Sequence, residues 1–178
     1  MLRRFVLAAV MLVAVAGTAV ALLRTPEQRD STGTGGSSER SLGSVRGITL
    51  EAFAGTSVVD LESNRGKPLV INYWASWCLF CIDEMPDFQE VYEEVADRVE
   101  FLGVNIKDDS AAAQTLVDET GVRYPLAADD DGSVYRKLGG FSMPTTLFVG
   151  EEGQILERFS GPLDADQLRA LIKNHFDV

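Results

Sequence analysis

Residues 69–74, together with the helical pattern that follows them, constrain the fold of this chain most strongly. Leu69–Trp74 is rich in β-branched and aromatic residues, which is typical of a strand buried on both faces. Apolar residues then recur at helical spacing, at Phe88, Val91, Tyr92 and Val95. Val99–Ile106 reads as a second strand, so a helix that starts near Cys78 connects two parallel strands.

The remainder of the chain predicts a second helix and a hairpin. Ser110 is the expected cap of an Ala-rich helix that ends at Gly121, where a glycine can adopt the left-handed conformation. Thr145–Gly150 and Gln154–Ser160 are strand-like segments that flank a short glycine-containing turn, which predicts a hairpin of antiparallel strands.

A final helix completes the predicted architecture. Asp164 is placed to cap it, with Gln167 at the third helical position. A strand–helix–strand unit followed by a hairpin and a helix predicts an α/β fold, with a central mixed β-sheet flanked by helices on both faces. Two segments are expected at the surface: Lys107–Asp109 as a corner, and Asp129–Asp131 as a solvated turn before a short helix at Val134–Leu138.

An apolar segment without charges follows a basic N-terminus. Arg3 and Arg4 precede the 19 uncharged residues Phe5–Leu23, a pattern typical of export signals. Residues 1–23 are therefore either a cleaved signal peptide or a retained membrane anchor, since a helix of that length approaches the thickness of the bilayer core. Residues 24–47 are a flexible Gly- and Ser-rich linker, and residues 48–178 form the folded domain. This order predicts that the domain lies on the extracytoplasmic side of a bacterial cell membrane, anchored or secreted.

The charge balance argues against nucleic-acid binding. Residues 48–178 contain ten Lys or Arg and 24 Asp or Glu, a formal charge of −14 (10 − 24), and such a surface repels phosphate. Two cysteines and one histidine, His175, are too few ligands for a closed zinc site. We therefore expect neither a metal nor another cofactor.

Cys78 and Cys81 are the predicted catalytic residues. Cys78 lies where the strand gives way to the helix, and the unpaired amides and positive dipole there favour its thiolate, so Cys78 is the expected nucleophile. Cys81, one turn later, can attack a mixed disulfide on Cys78, release the substrate and leave an intramolecular disulfide. That exchange cycle needs no cofactor.

The residues around the cysteines resemble the thioredoxin superfamily, in particular its extracytoplasmic TlpA/ResA/DsbE type. Trp77 directly precedes the cysteine pair, Pro86 stands where the family kinks its first helix, and Met143–Phe148 is similar to the family's cis-proline before a strand. The resemblance covers residues 48–178 and implies a thioredoxin-like fold.

The resemblance also implies roles for individual residues. Pro144 is expected in a cis peptide against the cysteine pair, with Met143 binding an extended substrate through its backbone. Trp77 and Glu84 are expected to support the site, with Glu84 relaying protons or adjusting the acidity of the thiols. The alternative for Glu84 is an ordinary solvated carboxylate on a helix.

Asn72 and Phe80 depart from the family pattern. Thioredoxins proper carry a buried aspartate where this chain has Asn72, which leaves Glu84 to substitute for it. Phe80 replaces the proline that usually stands between the cysteines, so the reduction potential of relatives does not carry over. Together with Leu79, Phe80 makes the surroundings of the cysteines apolar, which favours a protein or peptide substrate.

The function that the resemblance implies is thiol–disulfide exchange with protein substrates, as a reductant in cytochrome c maturation. Apocytochrome c would then be a substrate, and a membrane electron-transfer protein of the CcdA/DsbD type would supply the electrons. Two alternatives stay open: a disulfide-forming oxidant of the same fold, and a copper(I) chaperone that binds the metal through Cys78, Cys81 and Met143.

Replacing each cysteine separately tests the two roles. Cys78→Ser should abolish turnover because the attacking thiolate is lost, whereas Cys81→Ser should accumulate a disulfide-linked substrate because no second thiol resolves it. Non-reducing electrophoresis after mixing with a disulfide-bonded protein measures both effects. A fully active Cys81→Ser protein would contradict the resolving role.

Overall fold

The computed structural model describes residues 42–64 and 66–178. The predicted export segment, residues 1–23, and residues 24–41 of the predicted linker lie outside the described residues. None of the helices within residues 42–64 and 66–178 combines the length and the hydrophobicity that crossing a bilayer requires.

Seven strands and four α-helices make up the described part of the chain. The strands are β1 Thr49–Ala52, β2 Val58–Asp60, β3 Leu69–Trp74, β4 Glu100–Ile106, β5 Leu126–Asp129, β6 Thr145–Val149 and β7 Ile155–Ser160. The helices are α1 Leu79–Val95, α2 Ser110–Thr120, α3 Ser133–Lys137 and α4 Ala165–Phe176, with a short 3-10 helix at Leu61–Asn64. Strands β1, β2 and β5 were not predicted, because three or four residues are too few to display a clear alternation.

The strands form one mixed sheet in the order β2-β1-β5-β4-β3-β6-β7. β3 runs parallel to β4 and β4 runs parallel to β5, while the other neighbouring pairs are antiparallel. The predicted α/β fold with a mixed sheet is therefore confirmed.

The side chains of the central strand β3 alternate between two cores. Val70 and Trp74 face the core built with α1, α2 and α4, whereas Ile71 and Tyr73 face the core that includes α3. Helices thus cover both faces, as predicted. Because β3 is buried along its whole length, it is a rigid support for the cysteine-containing loop that follows its last residue.

The folded part begins before the predicted boundary at residue 48. Ser44 forms an isolated β-bridge with Gln154, the amide of Val45 donates to the Gly153 carbonyl at 2.9 Å, and the Val45 side chain is only 1% exposed. The predicted linker, residues 24–47, therefore extends too far, because Val45 adds an apolar side chain to the core on the α3 side of the sheet.

Side-chain caps determine where α2 and α4 begin. Asp109, and not the predicted Ser110, caps α2, and its carboxylate accepts hydrogen bonds from two amides of the first turn. The predicted end of α2 at Gly121 is confirmed, with φ of 67°. α4 begins with the predicted capping box of Asp164 and Gln167.

Asp129 does not belong to a solvated turn, contrary to the prediction. It ends β5, is buried, and accepts hydrogen bonds from the amides of Val134 and Tyr135 in α3. These amides replace the water that burial removes from the carboxylate. Asp130 and Asp131 are exposed, as expected.

Gly103 in β4 should not tolerate a side chain. An added Cβ would lie 2.6 Å from Leu126 Cδ2 and 2.9 Å from the Tyr124 ring, so Gly103→Ala should lower the free energy of unfolding by about 1–3 kcal/mol. Urea denaturation measures the decrease in the free energy of unfolding. Gly55→Ala is the control, since its Cβ would meet neighbours at an ordinary 3.4 Å or more. Equal stabilities of the two variants would contradict the packing described for β4.

Candidate active site

Cys78 and Cys81 form a disulfide at the start of α1. Cys78 occupies the N-cap position, and its sulfur accepts a hydrogen bond from the Cys81 amide at 3.3 Å. Cys78 is 7% exposed and Cys81 is 0% exposed, so substrate thiols can approach the sulfur of Cys78 more readily. A sulfur at the N-cap faces the unpaired amide groups of the first helical turn, and these amides stabilise a thiolate.

The loop before Cys78 is held by Asp108, which follows β4. The Asp108 carboxylate accepts hydrogen bonds from the amide and the hydroxyl of Ser76, at 2.5 and 2.6 Å, and from the Asn105 side chain at 2.9 Å. Burial alone would raise the pKa of the Asp108 carboxyl, but these bonds and one from the Asp109 amide lower it below its ordinary value. Asp108 is thus an anchor of the cysteine loop and not merely the surface corner expected for Lys107–Asp109.

A second contact joins the same two loops. Trp77 Nε1 donates to the carbonyl of Lys107 at 3.1 Å, while the Trp77 ring remains 56% exposed. The indole is therefore oriented by its nitrogen and presents an apolar face to solvent.

The loop that leads into β6 contains a cis peptide bond between Met143 and Pro144. Thr145, the next residue, pairs with Tyr73 near the end of β3, so the cis-proline loop and the cysteine loop emerge at the same edge of the sheet. The Ser142 carbonyl in this loop accepts hydrogen bonds from the hydroxyls of Tyr135 and Thr145. The substrate-binding role of Met143 and the supporting role of Pro144 stay predictions.

Glu84 is buried, at 3% exposure, and is not a solvated helix carboxylate. One oxygen accepts from Asn72 Nδ2 at 2.8 Å, and the other accepts from the Leu163 amide at 3.0 Å. Burial raises the pKa of the Glu84 carboxyl to about 8, although both hydrogen bonds act in the opposite direction. Glu84 follows Cys81 by three positions on the inward face of α1, so the two side chains are neighbours on that face.

Four large apolar side chains are exposed around these loops. Trp77, Leu79 and Phe80 adjoin the cysteines and are 56%, 74% and 61% exposed, while Phe141, in the cis-proline loop, is 79% exposed. We call Trp77, Leu79, Phe80 and Phe141 the apolar rim. We did not identify Phe141 as a site residue from the sequence. The available signal was its position three residues before Pro144.

Comparison with known proteins places this arrangement in a family. A family profile described as Redoxin matches residues 43–172. The chain belongs to the Redoxin family. This match also begins before the predicted domain boundary, in agreement with the packing of Val45.

Curated relatives of this Redoxin-family chain carry out thiol–disulfide chemistry. It is 25% identical to the thiol-disulfide oxidoreductase ResA of Bacillus thuringiensis subsp. konkukian, over 65% of this chain and 67% of the relative. It is 37% identical to the thiol:disulfide interchange protein DsbE of Pseudomonas fluorescens biotype C, over 66% of this chain and 65% of the relative. This Redoxin-family chain is thus a thiol–disulfide oxidoreductase with a thioredoxin-like fold.

Solved structures agree with the fold of this Redoxin-family chain. A DsbF homologue from Corynebacterium diphtheriae is 29% identical, with a TM-score of 0.65 over 71% of this chain and 83% of the other. The crystal structure of StoA from Bacillus subtilis has a TM-score of 0.61 at 24% identity, over 69% of this chain and 93% of the other. The resemblance seen in the sequence is confirmed at the level of family and fold.

Glu84 should make the stability of the oxidised protein depend on pH. Its pKa is about 8 in the folded state and 4.5 as the ordinary value, so the folded state holds a proton that the unfolded state releases between these limits. The contribution of Glu84 to the stability is therefore largest below pH 4.5 and falls as the pH rises towards 8, with a limiting slope of about 1.4 kcal/mol per pH unit for one proton. Urea unfolding at several pH values between these limits should show this additional decrease in the native protein and not in Glu84→Gln. Parallel curves for the two proteins would contradict the raised pKa.

Asp108→Asn should loosen the cysteine loop and lower the free energy of unfolding by about 1–3 kcal/mol, because hydrogen bonds to a charged group are lost. The pKa of Asp108 lies below its ordinary 3.8, so the stabilisation is present above that pH and disappears as the pH falls through the folded-state value. The difference between the native protein and the variant should shrink accordingly in acid. Asp130→Asn, at an exposed position, is the control. A pH-independent difference would show that charge is not what Asp108 contributes.

Proposed function

We propose that this oxidoreductase acts outside the cytoplasm as a reductant of protein disulfides, with Cys78 as the nucleophile and Cys81 as the resolving thiol. The observation that carries the proposal is the Cys78–Cys81 disulfide at the N-terminus of α1, beside a rim of exposed apolar side chains. Apolar side chains this exposed favour contact with a polypeptide over contact with a small charged thiol.

The exchange starts from the reduced protein. The Cys78 thiolate attacks one sulfur of the substrate disulfide, and the other substrate sulfur leaves as a thiolate that takes up a proton. Cys81, once deprotonated, attacks the Cys78 sulfur of the mixed disulfide, and the second substrate sulfur leaves. Two electrons pass from the protein to the substrate, and the protein ends with the disulfide seen in the structure.

Glu84 is the proposed acceptor of the Cys81 proton. It is a neighbour of Cys81 on the buried face of α1, where few other groups can take a proton. A carboxyl with a pKa of about 8 is close in acidity to an ordinary thiol, so the proton can pass between them at little cost. Asn72 and the Leu163 amide stabilise the ionised carboxylate of Glu84, which is the form that can accept this proton, and the carboxyl is neutral once it has done so.

The location and partners extend this proposal. The basic and apolar N-terminal segment, residues 1–23, would export the protein and either anchor it or be cleaved. Outside the cytoplasm, reducing power has to come through the membrane, so a CcdA/DsbD-type electron carrier would regenerate the dithiol. The relatives, named a thiol-disulfide oxidoreductase and a thiol:disulfide interchange protein, support thiols or disulfides as the reacting groups of the substrate. Among exported proteins, the substrate we propose is apocytochrome c, in cytochrome c maturation.

Insulin reduction and the midpoint potential of the cysteine pair test the proposal together. The reduced protein should cleave the insulin disulfides, and its potential should lie near or below about −270 mV, the value for thioredoxin. Cys78→Ser is the matched control and should be inactive. A potential near about −120 mV, as in DsbA, together with oxidation of a test dithiol, would instead establish a disulfide-forming oxidant. Tight copper(I) binding without any exchange would establish a copper chaperone.

A further inference from the structure

An acidic groove runs along α1 away from the cysteines. It has a volume of about 240 Å³, with Asp83 and Asp87 of α1 on one wall and Asp164 on the other. Glu84 and Leu163, which are joined by a hydrogen bond, lie between the two walls. We call this feature the acidic groove.

Both walls of the acidic groove connect to the redox centre. On α1, Phe80 of the apolar rim precedes Asp83 by three residues and Asp87 by seven, so these three side chains share one face of the helix. On the other wall, the amide of Gly161 donates to the Pro144 carbonyl at 3.0 Å, which ties the segment before Asp164 to the cis-proline loop. A polypeptide bound at the cysteines can therefore continue into the groove.

The carboxylates of the groove have no basic counterpart among its described lining residues. Arg169 of α4 does not supply one, because its guanidinium is already bound by Glu90, Glu94 and Asp166. Such a groove attracts cationic side chains and repels anionic ones.

The spacing of the aspartates along α1 determines how many residues separate the substrate cysteine from a cationic side chain that reaches the acidic groove. Asp83 and Asp87 lie about 6 and 12 Å along the helix axis from Leu79, at about 1.5 Å per residue. An extended polypeptide advances about 3.3 Å per residue, so about two to four residues span the same distance.

We propose that the preferred substrate is an extended polypeptide segment with apolar residues next to its cysteine, which contact the apolar rim, and with lysine or arginine two to four positions away, bound in the acidic groove. This inference rests on the proposed exchange at Cys78 and adds to it the class of sequence that is recognised.

Matched peptides test the preference. Each peptide carries one cysteine, activated as a thionitrobenzoate disulfide, and Lys, Gln or Glu three residues before or after it. The Cys78 thiolate of the reduced full chain attacks the peptide sulfur, because the aromatic thiolate is the better leaving group, and the release of that coloured thiolate gives the rate. The leaving group is the same in every peptide, so rate differences report the variable residue.

We compare the peptides separately for each position of the variable residue, before or after the cysteine. For one of these two positions, the Lys peptide should react about fivefold faster than the Glu peptide at low salt, and the Gln peptide should react at an intermediate rate. The ratio should fall towards one in 1 M salt, where the screening length is about 3 Å. In Asp83→Asn/Asp87→Asn the ratio should also approach one. Glu51→Gln/Glu119→Gln removes the same charge from exposed positions outside the groove and should keep the ratio. Asp164 is left in place because it caps α4.

The outcomes separate the inference from the proposed function. Equal rates for the Lys, Gln and Glu peptides on both sides of the cysteine, or a preference that survives in Asp83→Asn/Asp87→Asn, would overturn recognition by the acidic groove while exchange at Cys78 stands. No reaction with any of the peptides would instead contradict the proposed exchange itself.

Discussion

A sulfur held at the N-terminus of a helix is the interaction on which the rest of the site depends. Cys78 caps α1, and its sulfur lies 3.3 Å from the amide nitrogen of Cys81. This placement follows from β3, a fully buried strand that ends at Trp74 and leaves only a short loop before the helix. Since the helix then sets which residues face inward, Cys81 and Glu84 are positioned by the same geometry that exposes the amides to Cys78.

Two carboxyl groups beside this loop have opposite electrostatic environments. Glu84 lies in the core, where desolvation outweighs its two hydrogen bonds and raises its pKa, so it can hold a proton near neutral pH. Asp108 is only partly buried and accepts four hydrogen bonds, which lower its pKa and keep it charged. One carboxyl is therefore suited to exchanging a proton, and the other is suited to holding the loop in place.

The sequence was most informative where local patterns are strong. The β3 run, the periodicity of α1 and the capping box at Asp164 depend on neighbours in the chain, and each appears in the structure. Contacts between distant segments left no such pattern. The burial of Val45 depends on a strand more than a hundred residues later, and the bonds between Ser76 and Asp108 depend on how two loops meet. The choice between a buried and a solvated Glu84 likewise depended on its partners Asn72 and Leu163, which only the folded structure brings together.

Cys78, the proposed nucleophile, lies with a buried acid and an apolar rim at one edge of the sheet, and its reactivity depends on stabilisation of its thiolate by the start of α1. The most direct measurement is the rate at which each cysteine of the reduced full chain is alkylated by iodoacetamide at neutral pH, followed by mass spectrometry. We expect Cys78 to react first, and faster than the cysteine of an unstructured peptide, because the helix amides stabilise its thiolate. Alkylation of Cys81 at the same rate or faster, or a Cys78 no more reactive than the peptide, would contradict it.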